Sequence, residues 1–215
     1  MINGIRLKIC GLTSAADAAK AAAAGADYLG FVLHPQSPRR VTLERFAAMR
    51  PDLPAKPAVA VCVAPSLEGL EAILGGGFDA VQIHFDPETG AKAAAAWVRL
   101  AGRKRLWLAP RLAAADDVPE ALLGMVDAFL LDAFNADQFG GTGCTADWGK
   151  FRRHREGHPA KTWILAGGLG PENIAAAVRE SGADFVDVNS GIERSPGVKD
   201  LAKLAALEAA LGAPR

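Results

Sequence analysis

Residues 162–188 read TWILAGGLGPENIAAAVRESGADFVDV, and this stretch decides the fold. A short apolar run, Thr162 to Ala166, is followed by glycines and then by an Ala-rich segment from Pro171 to Glu180. A second apolar run, Phe185 to Val188, comes next. Proline suits the first position of a helix, where its missing N–H is not needed. The pattern therefore predicts strand, helix and strand, and near-continuously apolar strands alternating with helices are typical of a parallel sheet.

The same alternation extends over the whole chain. Apolar runs predict strands at 5–10, 28–32, 58–63, 80–84, 105–110, 128–132, 162–166 and 185–188. Ala-rich or capped segments predict helices at 14–24, 42–49, 66–74, 87–100, 119–125, 147–154, 171–180 and 199–211. Eight such repeats favour an α/β fold with a single domain over 1–215, an eight-stranded parallel β/α (TIM) barrel. The alternative is an open doubly wound sheet, but no GxGxxG motif follows the first strand.

Charge and cysteine usage limit the function classes. Lys plus Arg and Asp plus Glu both number 24, so the chain has no general attraction for nucleic acid or for an anionic membrane. Its three cysteines are widely spaced, which favours neither a disulfide framework nor a zinc site. No signal-peptide pattern or membrane-spanning run is present in the sequence, and we expect a cytoplasmic protein without nucleic-acid or membrane partners.

Polar side chains end several of the predicted strands, where a barrel of this kind places its active site. The candidates are Cys10, His84, Asp132 and Asp187. Asp132 follows an apolar run, so its carboxylate needs a partner or a purpose. Cys10 can alternatively be a small buried hydrophobe, and His84 a hydrogen-bonded strand-end residue without further function.

Glycines cluster at the same ends of the later strands. They are Gly141 and Gly143 after the sixth strand, Gly167 and Gly168 after the seventh, and Gly191, preceded by Ser190, after the eighth. Glycine permits close approach of backbone N–H groups to a ligand, and barrels often hold a phosphate after strands seven and eight. The alternative is that these glycines only connect strands to helices.

Eight motifs, in order and over nearly the whole chain, resemble the phosphoribosylanthranilate isomerase family of tryptophan biosynthesis. They are Lys8-Ile-Cys-Gly-Leu-Thr13, Ala24-Gly-Ala-Asp-Tyr-Leu-Gly-Phe31, Ser37-Pro-Arg-Arg-Val41, Val81-Gln-Ile-His84, Leu130-Leu-Asp132, Gly140-Gly-Thr-Gly143 with Asp147-Trp148, Ala166-Gly-Gly-Leu169 with Pro171-Glu-Asn173, and Asp187-Val-Asn-Ser-Gly-Ile-Glu193 with Ser195-Pro-Gly-Val-Lys-Asp200. Each motif is weak alone, but their shared order makes the resemblance specific.

The resemblance implies an Amadori rearrangement of N-(5′-phosphoribosyl)anthranilate, with no metal and no organic cofactor. It implies Asp132 as the acid and Cys10 as the base, and Arg39 as the group that holds the anthranilate carboxylate. His84 and Asp187 are implied to face the substrate. The phosphate is implied to be held by backbone N–H groups of Gly167, Gly168, Ser190 and Gly191, and Gly141 and Gly143 are implied to bind the substrate. The partner is then a small sugar phosphate, and the enzyme a monomer or homodimer.

These roles make demands on ionisation. The pKa of Asp132 has to be raised from about 4, as an apolar strand end could do. The pKa of Cys10 has to fall from about 8.5, and Lys8 is a possible cause because residues two apart on a strand share a face.

The chain also departs from the family pattern at Phe85, Cys144 and Asn189. The fifth strand differs too, ending in Leu106-Trp-Leu-Ala-Pro-Arg111. These departures leave two alternatives, a related sugar-phosphate isomerase of altered specificity and a non-catalytic barrel that binds a phosphate ligand.

Overall fold

A computed structural model describes residues 1–113, 116–132 and 147–213 of the chain. Its strands are β1 (Arg6–Ile9), β2 (Tyr28–Val32), β3 (Ala58–Val63), β4 (Ala80–Phe85), β5 (Leu106–Pro110), β6 (Ala128–Asp132), β7 (Thr162–Ala166) and β8 (Phe185–Val188). They form a closed barrel in sequence order, in which β1 pairs in parallel with both β2 and β8. The predicted eight-stranded parallel barrel is confirmed.

The helices alternate with these strands. They are α1 (Ala15–Ala23), α2 (Leu43–Met49), α3 (Leu67–Gly75), α4 (Pro87–Ala101), α5 (Glu120–Leu123), α6 (Trp148–Gly157), α7 (Ile174–Ser181) and α8 (Leu201–Gly212). Ser14, Thr42 and Ser66 accept backbone N–H bonds as N-caps of the first three. In the described part of the chain, every helix is too short or too polar to cross a lipid bilayer.

Two predicted helix starts were wrong. α7 begins at Ile174 rather than at Pro171, because Asn173 uses its side chain to hold the preceding glycine turn. α8 begins at Leu201 rather than at Lys199, because β9 (Glu193–Ser195) and β10 (Val198–Lys199) form an antiparallel hairpin that the sequence pattern did not indicate.

The barrel interior is filled in layers, because alternate residues of each strand point inward. Near the amino-terminal ends of the strands, the Arg6 guanidinium lies 4.6 Å from the ring centroid of Phe185, and Tyr28 and Trp107 pack against the same ring. Two residues further along β1, the interior becomes polar with Lys8. A separate apolar layer between the strands and the helices contains the largest group of buried side chains. The barrel interior is therefore aromatic near the amino-terminal ends of the strands and polar toward their carboxyl ends.

Candidate active site

A cavity of about 330 Å³ opens at the carboxyl ends of the strands. The predicted site residues that line it are Cys10, Arg39, His84, Asp132, Gly167, Gly168, Asp187 and Ser190. Gly191 lies beside this group and does not line the cavity. Gly141 and Gly143 lie outside the described residues, as does Cys144. The fold thus brings together side chains that are up to 180 residues apart in sequence, as expected for a barrel whose strand ends meet at one face.

Cys10 lies directly after β1 and is 4% exposed. Burial raises the pKa of its thiol above the ordinary value, and the nearby Lys8 ammonium only partly offsets this effect. The expected lowering of the Cys10 pKa was therefore wrong for the free protein, because loss of hydration outweighs the favourable charge. The expected contact with Lys8 is present, and both side chains point into the barrel.

Lys8 is fully buried, and its Nζ donates to Asp187 Oδ2 at 2.7 Å and to Gln82 Oε1 at 2.9 Å. Burial opposes its charge, but Asp187 and Cys10 together raise the pKa of Lys8 above its ordinary value. The second carboxylate oxygen of Asp187, Oδ1, is buried without a hydrogen-bond partner among the described residues. Since Asp187 lines the cavity, this oxygen is an acceptor that a donor group of a bound ligand can satisfy.

Asp132 ends β6 and lines the same cavity. The four preceding residues of β6 are buried, whereas the Asp132 side chain is exposed. The buried part of β6 therefore stops one residue earlier, at Leu131. The exposure of Asp132 leaves the carboxyl able to reach a ligand in the cavity.

His84 contacts Gln82 on the inner face of β4, with 2.7 Å between His84 Nε2 and Gln82 Nε2. Burial, with the neighbouring charges of Lys8 and Arg111, lowers the pKa of His84 to about 4. The imidazole is therefore neutral near pH 7. The sequence analysis gave Lys8 only a possible influence on Cys10 and gave Gln82 no role. The sequence signal for both is their spacing, since each lies two residues before a predicted site residue, Cys10 or His84, on the same strand.

Arg39 follows β2 and is held by a carboxylate that the sequence reasoning missed. Its Nη2 donates to Glu193 Oε2 at 2.6 Å, and its Nε lies 3.0 Å from each oxygen of that carboxylate. Lys199 Nζ donates to the same carboxylate at 3.0 Å. Burial raises the pKa of Glu193, but the hydrogen bond from Arg39 and the charge of Lys199 outweigh it, and the pKa lies below its ordinary value. The opposite edge of the guanidinium, Nη1, has no partner among the described residues.

The glycine turn after β7 is built by its backbone conformation. Gly167 and Gly168 have φ of 96° and 60°, in the region that favours glycine. Asn173 accepts from the Gly170 N–H at 2.9 Å and donates to the Gly168 carbonyl oxygen at 2.9 Å. A side chain at Gly191 would overlap the Leu169 carbonyl oxygen, so the turns after β7 and β8 pack directly against each other. This contact fixes both turns at one side of the cavity.

Comparison with known proteins decides the family. The model of the family described as N-(5'phosphoribosyl)anthranilate (PRA) isomerase matches residues 7–210. This chain belongs to that family. It is similar to the N-(5'-phosphoribosyl)anthranilate isomerase of Granulibacter bethesdensis, with 44% identity over 91% of this chain and 92% of the relative.

Solved phosphoribosylanthranilate isomerases share the fold. The structure of the isomerase from Thermotoga maritima is 31% identical, covers 94% of this chain and 96% of its own, and superposes with a TM-score of 0.77. A second isomerase structure is in complex with reduced 1-(o-carboxyphenylamino)-1-deoxyribulose 5-phosphate. It is 27% identical, covers 96% of this chain and 98% of its own, and has a TM-score of 0.74.

Three departures from the isomerase pattern fall in described positions: Phe85, Asn189 and the end of the fifth strand, where none of residues 106–111 lines the cavity. Phe85 is 3% exposed and packs edge-to-face against Trp97, on the helix side of the barrel wall, so it does not line the cavity. Asn189 does line the cavity, and its Oδ1 accepts a hydrogen bond from Lys199 Nζ at 3.1 Å. Of these three departures, only Asn189 changes the surface of the cavity that a ligand would meet.

Proposed function

We propose that this chain catalyses the Amadori rearrangement of N-(5′-phosphoribosyl)anthranilate to 1-(2-carboxyphenylamino)-1-deoxyribulose 5-phosphate, a step of tryptophan biosynthesis. The observation that carries the proposal is that Cys10 and Asp132 meet at one cavity in a chain that belongs to the isomerase family. An acid and a base at one cavity are what ring opening followed by proton abstraction requires.

We assign Asp132 as the acid. Its proton goes to the ribose ring oxygen, the bond from that oxygen to C1′ breaks, and the nitrogen lone pair forms the iminium. The exposed position of the Asp132 carboxyl at the end of β6 supports this role, because it can approach a ligand in the cavity. A substrate that fills the cavity would exclude water from the carboxyl and favour its protonated form.

We assign Cys10 as the base. Its thiolate removes the C2′ proton, and the electrons of that C–H bond form the C1′–C2′ double bond while the iminium nitrogen becomes neutral. The enolamine then gives the ketone by net transfer of its hydroxyl proton to C1′. Asp132 has lost one proton and Cys10 has gained one, so exchange with solvent restores the enzyme. Lys8 supports the thiolate, since its ammonium is the charge that does most to lower the pKa of Cys10 against the effect of burial.

The remaining residues hold the substrate in this proposal. The Nη1 edge of Arg39, which has no partner among the described residues, faces the anthranilate carboxylate, and Asp187 Oδ1 accepts from an amino or hydroxyl group of the substrate. The turns that contain Gly167, Gly168 and Ser190 hold the phosphate, with Gly191 as their packing contact. Gly141 and Gly143 keep their proposed part in substrate binding, outside the described residues.

A fluorescence assay tests the proposal. Phosphoribosylanthranilate is generated in solution from anthranilate and phosphoribosyl pyrophosphate by a separate transferase, and its loss is followed after adding the purified chain. We expect turnover by the wild type, and a fall of kcat of about 10²-fold or more in Cys10→Ser and in Asp132→Asn. Cys62→Ser, which changes a buried thiol outside the cavity lining, serves as the matched control. Absence of turnover by folded wild-type protein would contradict the proposed reaction.

A further inference from the structure

We propose that Lys8 and Gln82 are positioning residues that hold His84 as the tautomer with its proton on Nδ1, so that a neutral imidazole presents a hydrogen-bond donor to the substrate. This inference rests on the proposed function for the identity of the substrate. The hydrogen-bond network itself stands on the free protein alone.

The hydrogen-bond network begins at the Lys8 ammonium, which can only donate hydrogen bonds. The Lys8 ammonium is fully buried between Asp187 Oδ2, at 2.7 Å, and the Gln82 side-chain amide, at 2.9 Å. An ammonium has no acceptor atom, so the atom of Gln82 that faces it has to be the amide oxygen. The orientation of the Gln82 amide is therefore determined by chemistry and does not depend on how its two end atoms are distinguished.

The orientation of Gln82 then decides the state of His84. With its oxygen toward Lys8, Gln82 presents its NH₂ group to His84 Nε2 at 2.7 Å. An amide nitrogen donates and does not accept, so His84 Nε2 has to carry a lone pair. A neutral imidazole with a lone pair on Nε2 has its proton on Nδ1.

The Nδ1–H group is left for the ligand. Within the described part of the chain, His84 Nδ1 has no hydrogen-bond partner, and His84 lines the cavity. The ring thus offers one N–H to an oxygen of the substrate. Burial and the nearby Lys8 ammonium both oppose a charge on His84, so the arrangement supplies a hydrogen-bond donor without adding a second cation to the interior.

Nitrogen NMR on the ligand-free protein tests the network directly. The chain has four histidines, and ¹⁵N-histidine labelling with long-range ¹H–¹⁵N correlation distinguishes protonated from unprotonated ring nitrogens in each. His84→Asn identifies the His84 signals by their loss. We expect His84 Nε2 to be unprotonated and Nδ1 protonated near pH 7.

Substitution at Gln82 gives a second test of the hydrogen-bond network. In Gln82→Glu, a carboxylate oxygen faces His84 and accepts, so we expect the proton to move to Nε2 and kcat/KM to fall about 10- to 100-fold, the range for leaving a buried polar group unpaired. Gln36→Glu makes the same chemical change at an exposed side chain and should leave the His84 signals unchanged.

The outcomes separate the two proposals. A wild-type His84 with the proton on Nε2, or a Gln82→Glu variant with an unchanged His84 spectrum, would overturn the network. Lack of turnover of phosphoribosylanthranilate by wild-type protein would overturn the proposed function and leave the NMR result standing. A fall in activity without a change of tautomer would assign Gln82 a structural role only.

Discussion

Lys8 and Cys10 share the inner face of β1, and the space they occupy depends on a residue of the next strand. Gly30 of β2 has no side chain, and a Cβ built there would lie 2.9 Å from Cys10 Sγ and 3.0 Å from Lys8 Cε. Its distance from Cys10 Cα would also be 3.0 Å. The glycine is therefore required by close packing around the proposed base, since its φ is not in the left-handed region.

Gly30→Ala should displace the Cys10 thiol. Because the added Cβ would meet the Cys10 backbone and the fully buried Lys8 as well as the thiol, we expect kcat/KM to fall about 10²-fold, the effect of misplacing a reacting group by about 1 Å. Steady-state kinetics measures the change. Gly75→Ala is the matched control, because a Cβ there meets no atom within 4 Å and activity should be retained. Wild-type activity in Gly30→Ala would contradict the packing argument.

The raised pKa of Cys10 predicts low reactivity of its thiol at neutral pH. Only the thiolate attacks iodoacetamide, and burial keeps the thiol protonated until the pH exceeds the ordinary value for cysteine. We expect inactivation of the free protein by iodoacetamide to be slow at pH 7 and to accelerate steadily up to pH 10. Inactivation that is already at its maximum at pH 7 would show a thiolate and would contradict the raised pKa.

The β9–β10 hairpin holds the Arg39 side chain in place through Glu193. It carries Glu193 on one strand and Lys199 on the other, and the two side chains are joined by an ion pair of 3.0 Å. The carboxylate also binds the Gly197 N–H of the connecting turn at 3.1 Å. The hairpin therefore fixes the Glu193 carboxylate and, through it, Arg39, which lowers the conformational entropy cost of substrate binding.

Glu193→Gln should loosen Arg39 and weaken binding of the substrate carboxylate. Because that contact is the same in the ground state and the transition state, we expect KM to rise about tenfold with a smaller change in kcat. Loss of the carboxylate also leaves Arg39 and Lys199 without their counter-ion, and the free energy of unfolding should fall by about 3 kcal/mol. Kinetics and urea unfolding measure the two effects.

The comparison variant for this prediction is Glu208→Gln, which removes the same charge from an exposed position on α8. It should leave KM and the free energy of unfolding nearly unchanged. A Glu193→Gln variant with unchanged KM would show that Arg39 is held by other contacts, or that it does not bind the substrate.

The folded protein buries ionisable groups inside the barrel and between the strands and helices, and its stability should therefore depend on pH at both ends of the range. His84 has a pKa of about 4 when folded and about 6.5 when unfolded, so below pH 6.5 the unfolded chain takes up a proton that the folded chain does not. Burial raises the pKa of Cys62 to about 12, so above about pH 9 the unfolded chain loses a proton that the folded chain keeps. Both differences favour unfolding.

We expect the free energy of unfolding to be greatest between about pH 6.5 and 8.5, and to fall on both sides. Each such group contributes a slope of up to about 1.4 kcal/mol per pH unit where its folded and unfolded forms differ. Urea unfolding from pH 4.5 to 10 measures the curve. Cys62→Ala should be less stable at pH 7 and have a shallower alkaline slope, and an unchanged slope would show that Cys62 is not its source.

The fold class and most element boundaries could be predicted from the sequence, because a strand buried on both faces needs a continuous apolar run and a helix needs its cap. Thr162–Ala166 and Phe185–Val188 illustrate this, since the strands have the predicted bounds. The β9–β10 hairpin could not be predicted in this way. Its strands have three and two residues, which is too short to show the alternation of apolar and polar residues that marks a strand. The hairpin is held by contacts of Glu193 and Lys199 with distant parts of the chain, such as Arg39 and Asp17.

The sequence by itself determined the succession of strands and helices, the inward alternation that places Lys8 beside Cys10, and the membership of the isomerase family. Only the tertiary structure decided the ionisation and partners of the site. Closure of the barrel buries Cys10 enough to raise its pKa, leaves Asp132 exposed, and joins Arg39 to a carboxylate 154 residues away. Burial and long-range charge are properties of the packed molecule, since each depends on side chains that meet only when β8 closes against β1.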